Sequence, residues 1–216
     1  MGRSNEDYIP ALGIRALTPF YDLIQRWVVR DTLFKSRLIE QAGIQAGHRI
    51  LDLGCGTGTL ALMVKRSQPD AEVVGLDADP QMLKVAIAKA ARERMAVKFD
   101  QGMAFSLPYP DDSIDRVLSS LMIHHLKTPD KGKTAREIYR ILKPGAQLHV
   151  IDFGKPRTFY GKLVGLFLHG FEEANDNIDG HLPRIFEQAG LKVREAGDFM
   201  TFFGSLTFLY GEKLST

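Results

Sequence analysis

The chain has 216 residues, 44% hydrophobic and 25% charged, the composition of a soluble globular protein long enough for one domain with a full core. Its net charge of +2 is too small to imply a nucleic-acid footprint. A single cysteine, Cys55, excludes an intramolecular disulfide, gives no support to a cysteine-based metal cluster, and fits a reducing compartment.

The opening MGRSNEDYIP has no apolar h-region, so no signal peptide is expected, and Glu6 stands where a myristoylation signal wants Ser or Thr. Residues 1–46 read as an N-terminal helical cap, with Tyr21, Leu23, Ile24, Trp27 and Val28 on one apolar stripe. From residue 47 to 216 short apolar runs alternate with helical patterns, which implies an α/β domain with a parallel sheet. RILDL (49–53) is the first strand, and a helix follows over about 59–67. AEVVGLD (71–77) is the second strand, and Pro80 then opens a helix at its favoured first-turn place. VKFDQ (97–101) is the third strand, SLPYPDDS (106–113) is turn chemistry, and IDRVLSSL (114–121) is the fourth strand.

An amphipathic helix spans 130–142 and stops before Pro144-Gly145; AQLHVIDF (146–153) is the fifth strand. Residues of about 155–180 form a helical insertion. A short helix over about 180–189, LKVREAGDF and TFFGSLTFLYGEK complete the chain, the last two as strands. The longest greasy stretch, 159–171, is broken by Gly161, Lys162 and Gly165, so no membrane span is expected.

The chemistry concentrates in LDLGCGTGTL (51–60). A glycine-rich turn between strand and helix lets a ligand touch the backbone and aims helix N–H groups at it. The dinucleotide fingerprint G-x-G-x-x-G fits Gly54 and Gly56, but its third glycine falls due at Thr59, and Gly58 comes one residue early. Asp52, at the end of the first strand, would repel a pyrophosphate yet accept hydrogen bonds from an ammonium group. A ligand with an ammonium, a sulfonium and a ribose suits this turn better, and S-adenosylmethionine is such a ligand. Asp77, ending the second strand, is placed to take both ribose hydroxyls.

With these residues the sequence resembles the class I S-adenosylmethionine-dependent methyltransferases, closest to the branch that includes the quinone-biosynthesis C-methyltransferases. The motifs are ILDLGCGTG (50–58), VVGLDADPQML (73–83), LPYPDDSIDRV (107–117) and EIYRILKPGAQLHVIDFGKP (137–156). The resemblance runs from about Tyr21 to Gly154. It implies a Rossmann-like fold with a mostly parallel seven-stranded sheet flanked by helices, its last strand antiparallel. It further implies that Gly54, Cys55, Gly56, Thr57 and Gly58 pass beneath the methionine part, and that Asp52 orients it. Asp77 would bind the ribose, Ala78 and Met82 would lie against adenine, and Ser120 would stand near the methionine carboxylate. Where the family usually has Asp or Asn to meet the adenine amino group, this chain has Met103, so the backbone of Met103 and Ala104 is expected to contribute instead.

Blander readings stand beside these. Glycines after a strand can serve only a tight turn. Asp77 could cap the next helix, although Asp79 is better placed for that. Cys55 reads as an inert filler. Of the pair His124-His125 after the fourth strand, His124 reads as pocket lining, and His125 is the candidate general base or substrate contact. Tyr21 and Trp27 read as core packing or a lid, and Phe159 and Phe167 as part of a lid over a lipophilic acceptor, a core-covering helix or a membrane-surface helix. Lys155 and Arg157 read as solvated surface.

Methyl transfer needs no metal, and no metal-ligand spacing is visible. The Asp/Asn-Pro-Pro-Tyr tetrad of enzymes acting on nucleic-acid amines is missing, and the single cysteine disfavours arsenite as substrate. The expectation is a cytoplasmic methyltransferase acting on a small, lipophilic acceptor, a quinol-like ring or an amine, with at most peripheral membrane contact. The alternatives are a non-catalytic cofactor-binding or interaction module and, behind it, a nicotinamide-dependent oxidoreductase.

Overall fold

Two faces of hydrophobic side chains on every central strand decide this architecture. A computed structural model describes residues 31–155, 175–201 and 204–215. In chain order the elements are α1 (Asp31–Ala42), β1 (Arg49–Leu53), α2 (Thr59–Ser67), β2 (Glu72–Asp77), α3 (Pro80–Glu93), β3 (Lys98–Gln101) and β4 (Ile114–Ser120). After a 3-10 turn (Ile123–His125) come α4 (Thr128–Ile141), β5 (Leu142–Phe153), α5 (Asn175–Ile178), α6 (Leu182–Gln188), β6 (Lys192–Thr201) and β7 (Gly204–Glu212). The seven strands form one sheet in the order β3-β2-β1-β4-β5-β7-β6. β1 to β5 are parallel, while β7 runs antiparallel to both β5 and β6.

Side chains alternate across a strand, so β1 feeds both faces. Leu51 and Leu53 join Val74, Leu76, Val117, Ile138, Leu148 and Phe186 on one side of the sheet. Ile50 joins Val73, Leu118, Ile151, Phe34, Leu38, Leu60 and Val64 on the other. That burial on both faces is why these strands read as near-continuous apolar runs. The same alternation sends Asp52 to the face of Ile50, beneath α2.

The strand order reverses beside β1: the chain moves out to β2 and β3, then returns to place β4 on the opposite flank. Ligands of open α/β sheets bind outside the carboxyl ends of the strands at such a switch point. The glycine turn and the histidine pair both leave strands there, from β1 and β4.

The boundaries differ from the sequence reading at one junction. α4 starts at Thr128, with Pro129 in its first turn, and runs to Ile141; β5 follows at once from Leu142 rather than from 146. Leu142 pairs with Ile114 before the register shifts at Arg116. A proline lacks a ladder donor and is tolerated where pairing is irregular; here Pro144 lies in that irregular stretch, and the Gly145 N–H donates to the Lys213 carbonyl at 2.7 Å.

Of the segment expected to be a helical cap, α1 is described. Phe34 and Leu38 are fully buried, and α1 packs on β4, β5 and α2. Tyr21, Trp27, Phe159 and Phe167 lie outside the described residues. Among the described residues, no helix is long and apolar enough to cross a membrane.

Candidate active site

The turn after β1 is tied to the end of β2. The N–H groups of Gly54 and Cys55 donate to the Leu76 carbonyl at 2.8 and 3.0 Å, and the Gly56 N–H donates to Asp77 Oδ2 at 2.7 Å. Two glycines are required for different reasons. Gly54, at φ 72°, lies so close to Met122 that an added Cβ would fall 2.1 Å from its Cγ. Gly56, at φ 52°, would point a Cβ into open space, which leaves the backbone bare toward the cleft.

Asp77 accepts at both oxygens, from Gly56 at Oδ2 and from the Asp79 N–H at Oδ1, 2.9 Å away. Burial pushes its pKa up, and the backbone donors of Asp79 and Gly56 pull it partly back. The helix cap falls to Asp79, whose Oδ1 accepts from the Gln81 N–H at 2.8 Å. The Ala78 backbone also bears on the carboxylate, which lines the cleft.

These groups line a cleft of about 990 Å³, counting its open mouth. Of the residues singled out from sequence, its wall includes Gly54, Cys55, Gly56, Thr57 and Asp77. It also includes Ala78, Met82, Met103, Ala104, Ser120 and His125. Gly58 is not in the wall; it starts α2 in the left-handed region and packs against Ala86 and Phe99. Cys55 is buried, and burial pushes its thiol pKa well up.

Asp52 is also away from the wall. It is 1% exposed, and its Oδ2 accepts from the Ala61 N–H at 2.9 Å. Burial raises its pKa to about 7, against the pull of Lys35 and Ala61. The folded state thus keeps a proton that the unfolded chain gives up from about pH 4. The stability this proton confers is present at low pH and is lost as pH rises through about 4 to 7. Asp52→Asn should therefore lose less stability than the parent chain between pH 5 and pH 8. The expected difference is on the order of 2 kcal/mol, a few degrees in Tm, checked by thermal unfolding at both pH values. Parallel pH profiles would sink this account.

Sequence reasoning missed Lys35, Phe105, Met122 and Leu126, which also line the cleft. Lys35 is 7% exposed and paired with Asp31 at 2.7 Å. Nothing in its local pattern separates it from the other charged residues of α1; only the packing of α1 on the sheet brings it to the wall. Phe105 follows the expected Met103 and Ala104, and Met122 is selected by the close approach of Gly54.

The histidines diverge. His125 is in the wall, where burial, and then the neighbouring His124, push its pKa down to about 3. His124, expected to line the pocket, is not in the wall; it lies beside His125, ring centroids 4.0 Å apart, with its Nδ1 2.7 Å from Asp152 Oδ1.

The cleft has what S-adenosylmethionine requires. Asp77 is held at the end of β2 in the cleft wall, and Gly56 opens bare backbone beside it. The Ser120 hydroxyl is buried and has no hydrogen-bond partner among the described residues, which suits a polar ligand end.

Comparison with known proteins agrees. A family model described as "Methyltransferase domain" matches residues 50–145. The demethylmenaquinone methyltransferase of Thermus thermophilus is 34% identical over 208 residues, covering 89% of this chain and 93% of that protein. The crystal structure of YcgJ from Bacillus subtilis superposes with a TM-score of 0.72 at 21% identity, covering 86% of this chain and all of that one. Phosphoethanolamine N-methyltransferase 2 of Haemonchus contortus, solved in complex with S-adenosyl-L-methionine, gives a TM-score of 0.75 at 17% identity, covering 96% of this chain and 59% of that one. With this fold, this cleft and these relatives, the chain belongs to the class I S-adenosylmethionine-dependent methyltransferases, on the branch of the quinone-biosynthesis C-methyltransferases, and its cofactor is S-adenosylmethionine.

Proposed function

We propose that this methyltransferase acts on a small, lipophilic acceptor carrying a hydroxylated, quinol-like ring. The observation that carries this reading is the segment after β4, which lends Leu121, Met122, His125 and Leu126 to the cleft wall. Together with Phe105 these residues make a largely apolar surface, the kind that buries a ring and excludes water. The likeness to a demethylmenaquinone methyltransferase supports the same class.

The sulfonium supplies the reactive methyl group, so the protein's part is to bind, orient and desolvate. Asp77 takes the ribose hydroxyls. Ala78, Met82, Met103 and Ala104 hold the adenine, the backbone of the last two standing in for the acidic or amide side chain missing at Met103. The backbone at Gly56 and Thr57 lies along the methionine part, with Ser120 and Lys35 at its carboxylate. Of the N-terminal segment and the insertion, the described parts, α1 and α5, border the site. Lys35 of α1 stands in the wall, and α5 packs against the 3-10 turn of the histidines.

The test combines binding and transfer. Calorimetric titration with S-adenosylmethionine, S-adenosylhomocysteine and NADH should show micromolar binding of the first two and none of the third. Mass spectrometry should then find one added methyl group on 1,4-dihydroxynaphthalene and none on ethanolamine. Transfer to the amine alone would overturn the acceptor class, and binding without transfer to either probe would make the chain a cofactor-binding module.

A further inference from the structure

Where the ends of β2 and β3 meet, the side chains of the cleft wall are apolar save for Asp77. Leu76, Ala78, Met82, Met103 and Ala104 build it there. Leu76, Met82 and Ala104 are buried. The Met103 thioether is only a weak acceptor, and it stands where the family usually has Asp or Asn.

The backbone acceptors at this end are already engaged. The Leu76 carbonyl accepts from the Gly54 and Cys55 N–H groups at 2.8 and 3.0 Å. The Asp77 carbonyl accepts from the Gly102 N–H at 3.0 Å, and the Met103 carbonyl from the Ser106 N–H at 3.1 Å. The Ala78 carbonyl accepts from Gln101 Nε2 at 3.3 Å. A carbonyl has a second lone pair, so these four can still offer a ligand amino group a shared, neutral hydrogen bond. Such a bond is weaker than one to a carboxylate. An adenine in this slot lays its ring against apolar side chains, and its 6-amino group meets no side-chain acceptor among them. In water that amino group is fully hydrogen-bonded, so moving it into the slot gains little and deleting it loses little. A site built to hydrogen-bond an N–H rejects an analogue lacking it by large factors, whereas an apolar slot rejects one weakly.

We propose that this chain holds the purine of its cofactor by shape and burial rather than by its amino group, and that Met103 sets this tolerance. A cofactor without the 6-amino group then binds about as well as the adenine form. This rests on the adenine placement given above and extends it to the class of cofactor the chain accepts. The ribose and the methionine end, which both forms share, carry the selectivity instead.

Calorimetric titration of the full chain with S-adenosylhomocysteine and with its 6-deamino analogue, in which plain purine replaces adenine, needs no acceptor. The two dissociation constants should differ by less than about tenfold, the reach of one neutral hydrogen bond. A preference of about tenfold or more for the adenine form overturns the proposal. Met103→Asp should tighten S-adenosylhomocysteine but not the analogue, widening their ratio by about tenfold or more, because a carboxylate takes a charge-assisted bond from the amino group. Met103→Asn puts a neutral acceptor in the same place and should widen the ratio less; it serves if the Asp variant does not fold. Met103→Leu keeps the apolar contact and should leave the ratio unchanged. A ratio that neither Asp nor Asn moves also overturns the proposal. Met103→Ala tests the placement by itself: loss of packing should weaken both ligands by the same several-fold factor. Both affinities unchanged in Met103→Ala would put the purine elsewhere, and the placement would fall with the proposal. Weakening of both, beside a wild-type preference of about tenfold or more, would leave the placement standing and sink only the proposal.

Discussion

Asp77→Ala is expected to weaken S-adenosylmethionine binding by about 2–4 kcal/mol, roughly thirty- to a thousandfold in Kd. The carboxylate is held by the Gly56 and Asp79 N–H groups at 2.7 and 2.9 Å, so it meets a ligand already oriented. A pair of hydroxyls from one ribose would then make charge-assisted hydrogen bonds that water cannot replace as well in a partly closed cleft. S-adenosylhomocysteine, which shares the ribose, should lose affinity by the same factor. Asp77→Asn separates two contributions: its amide oxygen can still hold one backbone N–H, but its NH2 cannot accept from a hydroxyl. Calorimetry on the folded variants measures both, and unchanged affinity for Asp77→Ala would remove the ribose role.

Lys35→Met should cost about 3–5 kcal/mol of stability, because it strands the Asp31 carboxylate, 3% exposed, without its cation. The same substitution removes the charge that most opposes the high pKa of Asp52. An Asp31→Leu, Lys35→Met double variant should recover most of the loss, since two apolar side chains leave no buried charge behind. Urea denaturation of the three variants and the parent checks this. The double variant should not recover cofactor affinity, because Lys35 also stands in the cleft wall. A double variant as unstable as the single one would show that packing, not charge, governs this corner.

The strands and helices around the glycine turn were legible because each carries its own period and its own stop signals. RILDL and AEVVGLD are buried on both faces, so they read as apolar runs; Pro80 and Asp79 mark the start of α3 from both sides of the cap. The junction at 142–146 was not legible, since Pro144-Gly145 signals a turn, and only pairing with Ile114 extends β5 back to Leu142.

For the site, the chain itself determined what spacing can encode: a bare turn at Gly54 to Gly58, and an acid at the end of the next strand. Backbone geometry makes such features local. Tertiary structure alone decided where side chains from distant segments point. Strand alternation turns Asp52 away from the cleft, the docking of α1 carries Lys35 into its wall, and β5 brings Asp152 to His124 across 28 residues of chain. A hydrogen bond or an ion pair depends on the distance between atoms, and for residues far apart in sequence that distance exists only once the sheet is assembled.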